Sequence, residues 1–314
     1  MIDNKRLTDK SVLDILSPYG ILSIDSFKLL SGGSENSNYL IKTPSGDYVI
    51  TISEQKSLDD ANELASLLEY LEANNFSSSK IVKTTAKEAI TLWNSKPVMV
   101  KEYLDGDIVD DLSLPLLTSL GEQLAVLHLL PAPDYLPKTL SYGVEKYDEV
   151  KIYAPESDFF KWLKETQAYI ESFISEELPY AMIHSDIFSD NIIVSKDRKM
   201  ATIMDFEEAT YYYRVFDLGM MIVGTCCDAG RVSLDKAKSL LSGYQKHITL
   251  TASEAKALQA FTAYGATATA FWRHQNFNYV NVDETMKDHY QAMQNIAIDV
   301  LKIPSDEFKK ELAI

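Results

Sequence analysis

Cysteine is scarce in this chain of 314 residues, which contains only two, the adjacent pair Cys226 and Cys227. Adjacent cysteines in an apolar stretch give neither the spacing of a metal site nor a disulfide framework, so they are typical of a reducing compartment. Long hydrophobic runs are also missing, because the longest, residues 218–227, is too short to span a bilayer. Residues 1–5 lack the apolar core of a targeting signal. We therefore expect a cytoplasmic protein.

Positive charge is the second deficit. The chain has 30 Lys and Arg against 46 Asp and Glu, which gives a formal net charge of −16 at pH 7. No basic stripe is available to meet the phosphates of a nucleic acid, and an acidic chain is not attracted to an anionic membrane surface. The acidity increases solubility or favours a cationic substrate, and composition leaves both open. We expect neither a nucleic-acid nor a membrane partner, and the sequence does not indicate the oligomeric state.

One polar block between predicted strands carries the chemistry. It reads His184-Ser185-Asp186-Ile187-Phe188-Ser189-Asp190-Asn191, followed by strands predicted at 192–194 and 201–204 and then by Asp205-Phe206. Phosphoryl transfer uses this order of parts: one aspartate takes up the hydroxyl proton, while an asparagine and a second aspartate hold the metal that bridges the nucleotide phosphates. The spacing predicts Asp186 as the catalytic base and Asn191 and Asp205 as metal ligands in one cleft. The alternative is a solvated hairpin with ordinary turn residues.

The rest of the chain divides into two predicted domains. Residues 1–104 combine strands with one helix, and residues 105–314 are mostly long amphipathic helices, so we expect an α+β protein with a cleft between two lobes. The predicted strands of the first domain are 27–30, 39–42, 47–52, 90–93 and 97–103, and its helix is 58–75. The predicted helices of the second domain are 116–129, 159–175, 234–244, 253–275 and 284–301. Its only predicted strands are those beside the polar block, and residues 132–155 are expected to be irregular.

A glycine-containing turn lies between the first two predicted strands. Gly32 and Gly33 let a backbone approach a phosphate closely, and Ser34 supplies a further donor. The same residues also suit a simple turn between two strands, and the turn alone does not decide between the two interpretations. We expect Gly32, Gly33 and Ser34 to cover the phosphates of a nucleotide.

Four stretches carry a resemblance to the aminoglycoside phosphotransferase and choline kinase superfamily, and within it to the homoserine kinases of that fold. The polar block is similar to the superfamily's H-A-D-L-F-x-D-N, and the other three stretches suggest the branch. They are Glu35-Asn36-Ser37-Asn38-Tyr39, Tyr48-Val49-Ile50-Thr51-Ile52, and Leu240 to Tyr244 together with Leu250 to Glu254. The resemblance implies a bilobal protein-kinase-like fold with a small β-rich N-lobe and a large, mostly helical C-lobe. It also implies a phosphotransferase that uses ATP and Mg²⁺ and has an alcohol group as acceptor.

The resemblance also assigns residues. Asn36 falls among the nucleotide-binding residues, Glu102 to Leu104 form the hinge whose backbone pairs with the purine, and Asp217 braces the catalytic loop. Two departures stand out. Thr51 occupies the strand position where kinases of this fold usually carry a lysine or arginine, with Lys42 and Lys101 as possible substitutes. Glu207 follows Asp205-Phe206 in place of glycine, and either a second Mg²⁺ contact or a salt bridge would account for it.

The resemblance favours L-homoserine as the small-molecule acceptor. A helical arginine, Arg273, offers a planar fork suited to its carboxylate, although an ordinary ion pair is the more common explanation of a helical arginine. The alternatives are a choline, aminoglycoside or amino-sugar kinase of the same fold. A nucleotide-binding pseudokinase that acts as a scaffold is a further alternative, which the missing strand lysine favours and the intact Asp-Asn-Asp set disfavours.

Overall fold

A computed structural model describes residues 7–30 and 36–314. The phosphate-covering prediction for Gly32, Gly33 and Ser34 therefore falls outside the described residues. Contacts divide the chain into a first unit, Met1–Asp105 with Met204–Glu207, and a second unit, Gly106–Ile203 with Glu208–Ile314. The domain boundary that we place after residue 104 stays a prediction, and the short segment Met204–Glu207 groups with the first unit although it follows the polar block.

The first unit contains an antiparallel sheet in the order β1-β2-β3-β6-β4, with β5 also paired to β6. Its register places Thr43 opposite Gly46, so that Pro44 and Ser45 make the tight reversal between β2 and β3, and it places Thr51 opposite Asn38. The strands are β1 (Ser26–Leu29), β2 (Asn36–Thr43), β3 (Gly46–Ser53), β4 (Ile81–Val82), β5 (Ile90–Trp93) and β6 (Lys96–Glu102). The five strands predicted for this part of the chain are confirmed, and the two-residue β4 was not predicted.

Two helices accompany this sheet, α1 (Asp9–Leu16) and α2 (Leu58–Ala73). Both begin at capping boxes, Thr8 with Ser11 and Ser57 with Asp60, in which side chain and backbone satisfy each other's first-turn donors. Apolar residues of α1 share one core with the sheet, whose members include Val12, Leu16, Ile41, Ile50, Val98 and Val100. The sequence predicted α2 but not the eight-residue α1.

The second unit is mainly helical. Its helices are α3 (Leu114–Leu129), α4 (Val150–Tyr153), α5 (Asp158–Glu171), α6 (Arg214–Thr225), α7 (Leu234–Tyr244), α8 (Ala252–Gln275), α9 (Tyr290–Lys302) and α10 (Ser305–Leu312). A π-helical turn, Asn276–Val280, continues α8. The helix predicted over 284–301 is wrong at its start, because α9 begins at Tyr290. Residues 132–155 are not wholly irregular, since Val144–Glu149 form a 3₁₀ helix that leads into α4.

The prediction that the second domain has no other strands is wrong. The predicted hairpin is present as β9 (Ile192–Ser195) and β10 (Ala201–Ile203), but β7 (Gly106–Asp107) pairs with β9. A second pair joins β8 (Tyr180–Ile183) to β11 (Thr210–Tyr213), and a third joins β12 (Cys227–Asp228) to β13 (Arg231–Val232). These strands are two to four residues long, too short for an alternating pattern to be visible in the sequence.

Close packing of α6 against α8 fixes the helix that supports the polar block. A Cβ at Gly219 would lie 2.3 Å from the backbone oxygen of Phe261, so only glycine allows the two backbones this approach. Fully buried apolar side chains surround the contact, including Phe216, Leu218, Phe261 and Tyr264. Within residues 7–30 and 36–314, no helix is both long and apolar enough to cross a bilayer.

Candidate active site

The polar block forms a loop that starts at the end of β8 and ends at the start of β9. Asp217, in the first turn of α6, holds its backbone: the Ser185 N–H donates to Oδ1 at 2.7 Å, and the His184 N–H donates to Oδ2 at 2.8 Å. Asp217 is fully buried, so these charge-assisted bonds form away from solvent. The role that the resemblance implied for Asp217, bracing this loop, is confirmed.

A buried histidine also contacts Asp217. His128 of α3 lies with Nε2 3.1 Å from Asp217 Oδ2 and Nδ1 2.9 Å from the Tyr244 hydroxyl. Since a tyrosine hydroxyl can donate to one ring nitrogen while the other donates to the carboxylate, a neutral imidazole satisfies both contacts. The contacts of His128 with Asp217 and with Tyr244 connect α3 and α7 to the loop. The two helices approach closely because Gly243 has no side chain, and a Cβ there would lie 1.8 Å from the Thr118 backbone oxygen.

The residue before the predicted base has an unusual backbone conformation. Ser185 has a φ of 71°, in the left-handed region that L residues rarely adopt. Three hydrogen bonds hold it there: Tyr142 Oη donates to its carbonyl at 2.8 Å, its own Oγ donates to the Glu208 carbonyl at 2.7 Å, and its N–H reaches Asp217. Burial, and then the nearby Asp186 carboxylate, raise the pKa of Tyr142 well above its usual value, so that Tyr142 stays a neutral donor. Such strained positions persist only when their surroundings over-determine them.

Asp186 and Asn191, the predicted base and one predicted metal ligand, are brought together by this loop. The Asn191 Nδ2 donates to the Asp186 carbonyl at 2.8 Å and lies 3.3 Å from its carboxylate Oδ2. The Asp186 N–H donates to His184 Nδ1 at 3.2 Å, which makes the fully buried His184 a hydrogen-bonded part of the loop. The Asn191 side chain thus contacts Asp186 through its nitrogen.

Arg273 lies in the last turn of α8, within the electrostatic reach of this loop. Burial lowers the pKa of its guanidinium, and the negative charges of Asp190 and then Asp186 oppose that shift. In the described ranges Arg273 makes no hydrogen bond and no ion pair, so the ordinary ion pair considered for it is not found. Arg273 is half-buried, and a partly desolvated charge is costly unless it is paired.

The second predicted metal ligand, Asp205, belongs to the first unit, whereas Asp186 and Asn191 belong to the second. Asp205 is exposed and has a φ of 68°, so it shares the left-handed conformation of Ser185. Phe206 is 1% exposed and packs edge-on against Phe76 at 5.8 Å between ring centroids. The gathering of Asp186, Asn191 and Asp205 in one cleft stays a prediction.

Glu207, the residue in place of glycine, has both carboxylate oxygens engaged within the first unit. Lys56 Nζ lies 2.8 Å from Oε2, and Asn36 Nδ2 donates to Oε1 at 2.6 Å. Of the two alternatives for Glu207, the salt bridge is therefore present. The Asn36 side-chain donor is directed at Glu207, so the predicted nucleotide contact of Asn36 stays a prediction and would need another atom of the residue.

Two of the three backbone N–H groups of the predicted hinge already donate to other residues. The Glu102 N–H donates to the Lys80 carbonyl at 2.8 Å, and the Tyr103 N–H donates to the Asp47 carbonyl at 3.0 Å. Within the described residues, the Leu104 N–H has no such bond, which leaves it as a candidate donor for a purine. At the strand position that lacks a lysine, the buried Thr51 donates to Asn38 Oδ1 at 2.8 Å and supplies no charge.

A family model described as the phosphotransferase enzyme family, APH, matches residues 26–247. The chain belongs to this family. It is therefore a small-molecule phosphotransferase that acts on a hydroxyl acceptor, and the recognition made from its sequence is confirmed.

Individual relatives of this APH phosphotransferase are also consistent with the family assignment. A homoserine kinase of Xanthobacter autotrophicus is 28% identical over 277 residues, which cover 86% of this chain and 85% of that protein. A homoserine kinase of Paramagnetospirillum magneticum is 25% identical over 265 residues, with 80% and 81% covered. Among solved structures, an amicoumacin kinase in complex with AMP-PNP, Ca²⁺ and Ami superposes with a TM-score of 0.75 at 14% identity, covering 98% of each chain. That likeness confirms the α+β, protein-kinase-like fold.

Three residues that hold the Asp186 loop or the Asp205 segment were missed by sequence reasoning. His128 sits in the apolar stripe of α3 and carried no signal beyond being a lone polar residue among leucines. Tyr142 lies in a stretch interpreted as an irregular connection, and Lys56 looked like any surface lysine before α2. The one available signal was Gly243-Tyr244, part of the family likeness, whose tyrosine turns out to hold His128.

Proposed function

We propose that this phosphotransferase is an ATP-dependent homoserine kinase that transfers the γ-phosphoryl group to the side-chain hydroxyl of L-homoserine. The observation that carries the proposal is Arg273, a half-buried guanidinium without a partner among the described residues, close enough to Asp186 for their charges to interact. The names of the curated relatives, at 25% and 28% identity, support the same acceptor.

Asp186 is proposed to accept or orient the proton of the acceptor hydroxyl. Its backbone is fixed from two sides, by His184 Nδ1 on its N–H and by Asn191 Nδ2 on its carbonyl. A carboxylate held in this way can stay directed at an incoming hydroxyl without reorganising, and positioning supplies much of the rate in phosphoryl transfer. The preceding Ser185 is left-handed and fully buried, whereas Asp186 is partly exposed.

The residues present fit a magnesium-bound nucleotide. Asn191 and Asp205 offer amide and carboxylate oxygens, the ligands that Mg²⁺ prefers, and Asp205 is exposed. In addition, Asn36 Oδ1 is buried and has no hydrogen-bond partner among the described residues, and such an acceptor suits a cation or its bound water. Asn191 and Asp205 would hold the Mg²⁺, which when bound would neutralise the negative charge that develops on the phosphate during transfer. The described residues contain no cluster of three or more His, Cys, Asp or Glu side chains that would hold a metal alone.

Homoserine is a zwitterion, and its two charges need opposite partners. Arg273 would pair with the carboxylate, and Asp190, whose charge acts on Arg273, is available for the ammonium. A site for choline or an aminoglycoside would use acidic or aromatic groups and would gain nothing from an unpaired arginine. The positive charge of Arg273 near the loop therefore favours an acceptor that has a carboxylate, such as an amino acid.

An acceptor panel tests the proposal. Turnover of ATP with Mg²⁺ is measured with homoserine, choline, ethanolamine and kanamycin, and we expect homoserine to have the highest kcat/KM. Arg273→Ala should raise the KM for homoserine by about 10- to 100-fold, the scale of a lost charge-assisted hydrogen bond, and should leave the KM for ATP nearly unchanged. Arg273→Lys is the matched control, because it keeps the charge but loses the fork, and should recover part of the loss.

The panel also separates the alternatives. Preference for choline, ethanolamine or kanamycin would exclude homoserine while leaving the phosphotransferase assignment intact. Nucleotide binding without turnover of any acceptor would instead support a pseudokinase scaffold.

A further inference from the structure

Lys56 and Glu207 have no role in the proposed reaction, and together with Asn36 they form a group of side chains that we call the Glu207 clamp. Its two contacts are 2.6 Å from Asn36 Nδ2 to Glu207 Oε1 and 2.8 Å from Lys56 Nζ to Glu207 Oε2. The side chains of Lys56 and Glu207 are only 19% and 13% exposed. The three residues come from the start of β2, the segment before α2, and the segment after β10, all within the first unit.

The Glu207 clamp fixes the chain next to Asp205. Glu207 follows Asp205 by two residues, and the intervening Phe206 is buried against Phe76. Lys56 Nζ also approaches the Glu207 carbonyl, at 3.4 Å. Asp205 itself is exposed with a left-handed backbone, a conformation that needs restraint from its surroundings. The position of the Asp205 carboxylate therefore depends on how firmly Phe206 and Glu207 are held.

We propose that Lys56 and Asn36 are positioning residues, which act through Glu207 to hold Asp205 in the geometry that ligates the metal. Glu207 itself is not a metal ligand in this proposal. An ammonium 2.8 Å from its Oε2 would repel a divalent cation bound to the same carboxylate. The inference rests on the proposed function, because the metal role of Asp205 belongs to that proposal.

The same unit contains a matched group for comparison. Ser37, the next residue of β2, donates through Oγ to Glu54 Oε1 at 2.6 Å, and Lys96 pairs with the other oxygen of Glu54. The two groups have the same plan, a β2 side chain and a lysine on one glutamate. Only the Glu207 clamp includes the segment that carries Asp205, so the group at Glu54 serves as a control for a generic ion pair.

The test measures metal binding rather than turnover. Binding of Mn²⁺ to the full chain in the presence of ADP is followed by electron paramagnetic resonance, and thermal melting checks folding. Lys56→Met should raise the Kd for Mn²⁺ by about 10-fold, because it removes the ion pair that holds Glu207. Glu207→Gln keeps an oxygen for Asn36 but removes the same ion pair, and it should raise the Kd by a similar factor.

The double variant distinguishes the two roles of Glu207. If Lys56 acts through Glu207, the double variant of Lys56→Met and Glu207→Gln loses the same single ion pair and should bind Mn²⁺ no more weakly than either single variant. The control Lys96→Met should leave Mn²⁺ binding unchanged. If Lys56→Met does not fold, Glu207→Gln alone decides, since a loss as large as that of Asp205→Ala would make Glu207 a ligand.

Several results would overturn the inference. If Glu207→Gln weakened metal binding further in the Lys56→Met background, Glu207 would act independently of Lys56, as a metal ligand does. If metal binding is lost in Asp205→Ala but changes no more in Lys56→Met than in Lys96→Met, the Glu207 clamp has no role in metal binding. The proposed function would still stand. Absence of nucleotide-dependent Mn²⁺ binding in the wild type would instead contradict the proposed function, and the clamp with it.

Discussion

The loop that carries Asp186 and the segment that carries Asp205 are held in different ways. The loop is fixed by Asp217 and His128, both buried, through hydrogen bonds that solvent does not reach. The segment is fixed by the Glu207 clamp, in whose ion pair the side chain of Lys56 is 19% exposed and that of Glu207 is 13% exposed. Both carry a non-glycine residue with positive φ, Ser185 at 71° and Asp205 at 68°. The same local strain is thus maintained by two kinds of restraint.

The difference has a physical consequence. Hydrogen bonds to a carboxylate are stronger where the local dielectric is low, and leaving one of the buried partners unsatisfied costs the full desolvation of that group. An ion pair near the surface is worth less and is screened by salt. We therefore expect the loop around Asp186 to be a rigid element, and the Asp205 segment to be the more adjustable one.

The largest effect should come from Asp217→Asn. An amide offers one acceptor oxygen where the carboxylate offers two, so one of the N–H groups of His184 and Ser185 would lose its partner. We expect a loss of about 2–3 kcal/mol in the free energy of unfolding, measured by urea denaturation. Glu207→Gln, the corresponding change in the other region, should cost about 1 kcal/mol or less. Equal losses in the two variants would contradict the comparison.

Asp186→Asn should separate chemistry from scaffolding. The substitution leaves the Asp217 contacts intact and keeps the backbone atoms that His184 and Asn191 bind. Stability and nucleotide binding should stay close to wild type, while kcat falls by about 10²-fold or more, as for loss of a positioned acid–base group. Turnover near the wild-type rate would remove Asp186 from the mechanism.

Salt should produce the smallest and most selective effect. Between about 0.05 and 0.5 M NaCl the Debye length falls severalfold, which weakens the partly exposed Lys56–Glu207 pair but not the fully buried contacts of Asp217. Amide hydrogen exchange should therefore accelerate at residues 204–207 and stay constant at residues 184–186. Parallel acceleration of both segments would show that they respond as one unit.

Much of the loop could be predicted from the sequence because its parts are close along the chain. Asp186, Asn191 and the flanking strands fall within one short stretch, and the hairpin of β9 and β10 formed where the apolar residues placed it. The α+β class followed from periodicity alone. The helices with clear apolar stripes, such as α3 and α7, were also predicted within a few residues.

The parts that could not be predicted depend on distant contacts. Lys56 and Glu207 are joined across 151 residues, and His128 reaches Asp217 across 89. No local pattern distinguishes such a lysine from a solvated one, or such a histidine from a core residue. The strands β7, β8 and β11 were missed for the same reason, since each is defined by pairing with a distant segment.

The most direct test of the proposed function uses two acceptors that differ only in one group. Homoserine and 3-aminopropan-1-ol share the hydroxyl and the amine, but only homoserine has a carboxylate. The kcat/KM of both is measured for the wild type and for Arg273→Ala. We predict that the wild type prefers homoserine by about 10- to 100-fold and that Arg273→Ala abolishes most of this preference by lowering turnover of homoserine alone. An unchanged preference in Arg273→Ala, or equal losses for both acceptors, would contradict the assignment of Arg273 to a substrate carboxylate and with it the choice of homoserine.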